Sequence, residues 1–171
     1  MRTWLLHSAI FLMLLISSGA QAQEAAKPAF DEIELQRTAC FGACPIYTVT
    51  VHGDGSVDYK GIRYVAEVGM RHSKISSDAV KFLSGAFERV PFMTLQDSYA
   101  SKEDGCTELW TDNPSLIIRL KSSTKNKQIR YYAGCHGVKD IPAINWLAAT
   151  IDIVAKTEQW VGSGDTFQQS D

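Results

Sequence analysis

The chain has 171 residues, 17 Lys and Arg against 19 Asp and Glu, a net charge of −2, and 45% hydrophobic residues. That balance supplies no general attraction to nucleic acid or to an anionic membrane. The length suits one core of ordinary domain size rather than several.

Arg2 opens the chain, and an apolar run from Trp4 to Ile16 is broken only by His7 and Ser8. Small residues then end in Ala20-Gln21-Ala22. This charged, apolar and small-residue order predicts a cleaved secretory signal over 1–22, and hence a periplasmic or secreted protein. The apolar run is too short to span roughly 30 Å of hydrocarbon, so no membrane span is expected after cleavage. No cysteine stands near the cleavage site, which argues against a lipid anchor. Loss of residues 1–22 removes Arg2 and no acid, which moves the net charge to −3.

Residues 23–29 read as a flexible leader, 30–161 as a single domain and 162–171 as a flexible tail. Ile33 and Leu35 alternate with Glu32, Glu34 and Gln36, the pattern of a half-buried strand. After the segment CFGACPIY, Tyr47, Val49 and Val51 alternate with Thr48, Thr50 and His52. Gly53-Asp54-Gly55 then supplies a hairpin turn, because glycine and aspartate tolerate the backbone angles such turns need, and Val57 and Tyr59 resume the alternation. Tyr64, Val65 and Val68 suggest a further extended piece. Ser76 or Ser77 caps a helix whose stripe is Ala79, Phe82, Leu83, Ala86, Phe87 and Val90, and Pro91 stops it.

Residues 97–114 carry turn formers and acids and read as a long loop. Leu116, Ile118 and Leu120 form a strand, and Ile129 and Tyr131 return antiparallel to it. Asp140 caps a second helix with Pro142 in its first turn. Its stripe is Ile144, Leu147, Ala148, Ile151 and Val154, extended by Trp146. The order strands, helix, strands, helix predicts an α+β fold, a mainly antiparallel sheet of about five strands with two helices packed on one face.

Once the signal has gone, the four cysteines are Cys40, Cys44, Cys106 and Cys135. An even count in an exported chain points to disulfides, with three connectivities open. Gly42 lets the chain reverse between Cys40 and Cys44. Cys106 and Cys135 flank the second hairpin, whose outer ends meet, so 40–44 and 106–135 are favoured. Two alternatives use the first pair differently. One is thiol redox chemistry. The other is a metal: copper held by Cys40 and Cys44 with His136 or His52, since C-x-x-x-C-P also occurs in thioredoxin-like copper-delivery proteins, or zinc held by the four cysteines or by three of them with His136. The strand pattern after Pro45 does not match the helical context of either motif. The alternatives apart, no cofactor is expected.

Asp97, Tyr99, Asp104, Trp110 and Asp112 make the long loop a candidate ligand site, and its carboxylates invite comparison with glycosidase acid–base pairs. Solvated loop charge is the simpler reading. Arg119, Lys121, Lys125, Lys127 and Arg130 form a basic hairpin, read as protection of an exposed edge ahead of a polyanion contact. No nucleophile elbow, H-E-x-x-H pair or phosphate loop is present, so an enzyme is not favoured.

Residues 33–61, IELQRTACFGACPIYTVTVHGDGSVDYKG, resemble an uncharacterised family of exported bacterial proteins defined only as a domain of unknown function. Its mark is C-F-G-x-C-P-x-Y followed by a G-D-G turn. Cys40, Phe41, Gly42, Cys44, Pro45, Tyr47, Gly53, Asp54 and Gly55 fall in place. The resemblance implies an envelope or secreted location and supplies no reaction. The expected role is therefore a disulfide-stabilised binding module, its partner an envelope protein or a cell-surface polymer.

Overall fold

The computed structural model describes residues 29–162. The expected signal peptide, nearly all of the leader and nearly all of the tail lie outside the described residues.

β1 (Glu32–Arg37), β2 (Ile46–His52), β3 (Ser56–Arg63) and β4 (Gly69–Lys74) come first, followed by α1 (Ser77–Arg89) and a short 3-10 turn, Phe92–Thr94. β5 (Ser98–Tyr99), β6 (Glu108–Leu109), β7 (Ser115–Lys121), β8 (Asn126–Tyr132) and β9 (Cys135–His136) follow. α2 (Ile141–Ala155) and α3 (Glu158–Val161) complete the domain.

Seven strands form one sheet in the order β4-β3-β2-β1-β7-β8-β5, and β6 pairs with β9 separately. All neighbours in the large sheet are antiparallel except β5 and β8, which run parallel. The expected mainly antiparallel sheet of about five strands with two helices is therefore corrected in number to seven strands and three helices among the described residues, and the one parallel pair makes the sheet mixed. Two strands escaped the sequence for a physical reason. β4, GMRHSK, has no apolar alternation because it is an edge strand with neither face fully buried. β5 is two residues long inside the acidic loop, so it has no period to detect.

The alternation in β1 is real packing: Ile33 and Leu35 are buried, while Glu32, Glu34 and Gln36 face outward. Val49, Val51, Val57, Tyr59, Ile118 and Ile129 bury on the same core cluster. α1 and α2 pack against each other, and α2 packs against β2, so the helices cover this face. Each buried aliphatic side chain contributes about 1.5–3 kcal/mol relative to exposure. Ser76 caps α1 by accepting a hydrogen bond from the Ala79 N–H. α1 turns Val80, Leu83, Ala86 and Phe87 inward, so Phe82 leaves the expected stripe for solvent. Trp146 on α2 is exposed as well, and the Arg89 guanidinium lies 5.6 Å from both rings. No helix of the described residues is long and apolar enough to cross a membrane.

Candidate functional site

One end of the sheet is built from the β1–β2 loop and the segment leading into β7. The first carries the Cys40–Cys44 disulfide, with Cα atoms 5.8 Å apart. Gly42 has φ 144°, a backbone region L side chains rarely adopt, which lets so short a ring close. The two loops are tied through the backbone. Phe41 N–H donates to the Asp112 carbonyl at 3.1 Å, and Thr38 N–H donates to the Ser115 carbonyl at 2.9 Å. Ser115 N–H returns a bond to Thr38 Oγ1 at 2.8 Å. Asp112 holds φ 70°, a conformation aspartate tolerates better than most residues.

At this tip Phe41 is 89% exposed and Trp110 58% exposed. The Trp110 backbone is fixed on both sides: its N–H donates to the Gly134 carbonyl, and its carbonyl accepts from Tyr132 Oη at 2.8 Å. Its ring lies 4.0 Å, centroid to centroid, from that of His136, and its Nε1 donates to Glu108. Behind the tip a cleft of about 200 Å³ lies between Cys44, Pro45, Ser115, Tyr131 and Asn145.

The second disulfide, Cys106–Cys135, joins the segment just before β6 to the first residue of β9, with Cα atoms 5.2 Å apart. Both sulfur residues are buried. These are the two pairs favoured above, Cys40–Cys44 from the reversal at Gly42 and Cys106–Cys135 from the meeting of the hairpin's outer ends. His136 lies on β9 beside Trp110, and its Nε2 is buried without a protein partner among the described residues. In the oxidised state Cys40 and Cys44 offer no thiolate to a metal. Among the described residues, no group of three His, Cys, Asp or Glu side chains stands in metal-holding geometry.

The other candidates are dispersed. Asp97 sits at the far edge of the sheet and pairs with Lys127 Nζ at 2.6 Å. Tyr99 is buried, and its hydroxyl donates to Asp140 Oδ2 at 3.0 Å. Asp140 thus anchors β5 and makes no side-chain cap on α2. Asp104 organises its own loop, accepting from Ser98 Oγ at 2.8 Å, Ala100 N–H at 2.7 Å and Ser101 N–H at 3.1 Å. Those bonds, the Ala100 N–H first, hold its carboxyl below the usual range, so it stays ionised rather than serving as an acid near neutrality. Of the five loop residues, Trp110 and Asp112 are the two at the tip. The basic hairpin is largely neutralised: Arg119 pairs with Glu34, Lys121 with Glu32 and Lys127 with Asp97.

Tyr47, at the end of the cysteine motif, is buried and tied into the frame. Its hydroxyl donates to Asp152 Oδ1 at 2.7 Å and accepts from Arg37 Nε at 2.9 Å. Arg37 Nη2 reaches Asp152 Oδ2 at 2.6 Å, and Thr157 Oγ1 donates to Asp152 Oδ1 at 2.9 Å. Burial, then the neighbouring Asp152 charge, pushes the Tyr47 hydroxyl pKa well up. The motif is thereby locked to the last turn of α2. Arg37 and Asp152 were missed in the sequence. The one signal was an acid between Ile151 and Ile153 in an otherwise uncharged helix.

The GDG turn is also structural. Asp54 Oδ1 accepts from Ser56 N–H at 2.8 Å and Ser56 Oγ at 2.6 Å. Gly53 N–H donates to the Asp31 carbonyl at 3.0 Å. Gly55 has φ 85°, and a Cβ there would stand 2.8 Å from the Ile75 carbonyl oxygen, so the close approach of the turn to the entry of α1 requires glycine.

Residues 31–155 match the family model described as Domain of unknown function (DUF6438), so the chain belongs to that family. No curated protein matches the chain. Two disulfides fit an extracellular, disulfide-stabilised module.

Proposed function

We propose that this member of the DUF6438 family is a periplasmic or secreted interaction module, non-enzymatic, whose disulfide-closed tip docks on an envelope protein through Phe41 and Trp110. One observation carries the reading: a large apolar ring is held almost wholly in water on a turn closed by a disulfide and pinned to a neighbouring loop. Rigid exposed aromatics are what protein interfaces use as anchors, because little side-chain entropy is lost on docking. Asp112 and Glu108 beside them favour a partner patch of positive or neutral charge.

The test is a photo-reactive amino acid placed at position 41 in the exported protein, with a control at Lys60 on the open sheet face. A discrete adduct at 41 that is absent at 60 and lost with Trp110→Ala is expected. Equal or absent adducts at the two positions overturn the reading, and crosslinking to glycan alone makes a cell-surface polymer the partner.

A second reading keeps Cys40 and Cys44 as a redox pair, favoured by one contrast: this disulfide is partly exposed, whereas Cys106–Cys135 is buried. Titration with dithiothreitol and mass mapping separates the two. Selective, reversible opening of 40–44 by a physiological dithiol supports it, and equal resistance of both bonds removes it.

A further inference from the structure

The two long helices that cover the sheet present unlike outer faces. α1 shows Asp78, Lys81, Glu88 and Arg89 to water, the ordinary charged face of a surface helix. The exposed positions of α2 are Pro142, Asn145, Trp146, Ala149 and Ile153, which fall on one helical stripe, and none carries a charge. The only charged residue of α2 is Asp152, and Arg37, Tyr47 and Thr157 take it up. Ile153 is 75% exposed and Trp146 42%. A helix apolar on its outer side as well as its inner side is built to be covered on both.

The stripe carries its own counterpart. Towards its N-terminal end Trp146 projects as a knob, with the Arg89 guanidinium 5.6 Å from its ring. Towards its C-terminal end lies a hollow of about 340 Å³, lined by Ala149, Ile153, Lys156, Thr157 and Glu158 among others. A cavity of about 150 Å³ takes a benzene ring, so this one has room for an indole. Knob and hollow lie to either side of Ala149 along the helix.

We infer that this face is the contact between two copies of this chain, a two-fold dimer in which α2 packs antiparallel on α2 of the second copy. A two-fold axis beside Ala149 seats each Trp146 over the other copy's Ile153, at the mouth of its hollow. The same patch then serves both copies, each knob entering the other's hollow, as an isologous interface requires. No like charges oppose each other along the stripe, because it has none. Arg89 arrives with Trp146 at the rim of a hollow that Glu158 lines. Neither of these two is in an ion pair among the described residues, so each copy brings an unspent cation and an unspent anion. A membrane surface is the poorer occupant, since the stripe offers its headgroups no cation. One helical stripe buries less than the roughly 800 Å² per partner of standard complexes, which sets the expected affinity in the micromolar range.

The experiment is sedimentation equilibrium of the untagged exported protein from about 5 to about 500 μM. A monomer–dimer equilibrium is expected, which Trp146→Ala weakens at least about tenfold and Ala149→Glu abolishes. Both positions are exposed, so the variants keep the wild-type urea midpoint, and Phe41→Ala at the tip leaves the dimer unchanged. Monomer throughout the range, or a dimer insensitive to Ala149→Glu, overturns the inference. A monomer that dimerises only once residues 163–171 are removed overturns it too, and gives the face to the tail. So does a monomer that binds phosphatidylethanolamine–phosphatidylglycerol vesicles and loses that binding with Trp146→Ala. A readout on the unaltered protein guards against misfolded variants. Dilution moves the Trp146 indole ¹⁵N resonance and the amides of Asn145, Ala149 and Ile153, whereas shifts confined to Phe41 and Trp110 overturn the site.

Discussion

The two disulfides are the same bond put to different work. Cys106–Cys135 is buried and crosslinks the two sides of the short β6–β9 unit, closing a sequence separation of 29 residues. Cys40–Cys44 closes a separation of 4 on a partly exposed loop, around a phenylalanine in solvent and a glycine of positive φ. In the chain-entropy picture the long closure restricts the unfolded chain far more than the short one. The first bond therefore maintains the fold, and the second shapes a surface.

That division makes the largest prediction. Replacing Cys106 and Cys135 together by alanine lowers unfolding free energy by about 3.5 kcal/mol, read from urea unfolding without reductant. The Asp152 clamp comes next. Asp152→Ala removes the acceptor shared by Arg37, Tyr47 and Thr157 and leaves polar groups buried without partners, at a cost of about 3 kcal/mol. Asp152→Asn keeps an acceptor for Tyr47 and loses less. Cys40→Ala with Cys44→Ala costs about 2 kcal/mol at most. Its faster amide exchange is confined to the tip, around residues 38–47 and 110–115. A loss equal to that of the buried pair, or exchange spreading through β7 and β8, would erase the distinction.

The smallest effects separate two buried tyrosines, one on each side of the comparison. Tyr59 packs on Tyr47 and Trp160 with ring centroids at 5.5 and 4.9 Å, yet its hydroxyl has no protein partner among the described residues. Tyr99, near Cys106, donates to Asp140 and accepts from Gln96 N–H. Burial raises both phenol pKa values to about 12. Since the folded value lies above the unfolded one of about 10, this contribution is complete below pH 10 and is lost as pH rises through 12. Tyr59→Phe is expected to be neutral or stabilising by up to about 1 kcal/mol and to flatten that alkaline loss. Tyr99→Phe flattens it too but destabilises at pH 7 by about 1 kcal/mol. Urea unfolding at pH 7 and pH 10.5 reads both.

These particulars mark what was legible in the sequence. The strands with one buried face announced themselves, because alternation in Ile33–Gln36 or Tyr47–His52 is burial written residue by residue. The helix boundaries followed from Ser76, Pro91 and Pro142. Phe82 and Trp146 misled, because an apolar residue at helical spacing marks a face only when its neighbours bury with it. Of the candidate ligand loop, Trp110 and Asp112 reach the tip, while Tyr99 and Asp104 are taken up by internal hydrogen bonds that no local pattern encodes.

By itself the sequence determined an α+β domain and its main hairpins and favoured the two cysteine pairs among three connectivities, since all of these rest on contacts between near neighbours. Only the tertiary structure decided that β5 runs parallel to β8, that Arg37 and Tyr47 meet Asp152, and that Phe41 meets the Asp112 loop. It alone set His52 and His72 on the Asp58 carboxylate. The reason is common to all four: each contact depends on strand order and register across the sheet, quantities that a one-dimensional pattern of apolar and polar residues does not carry.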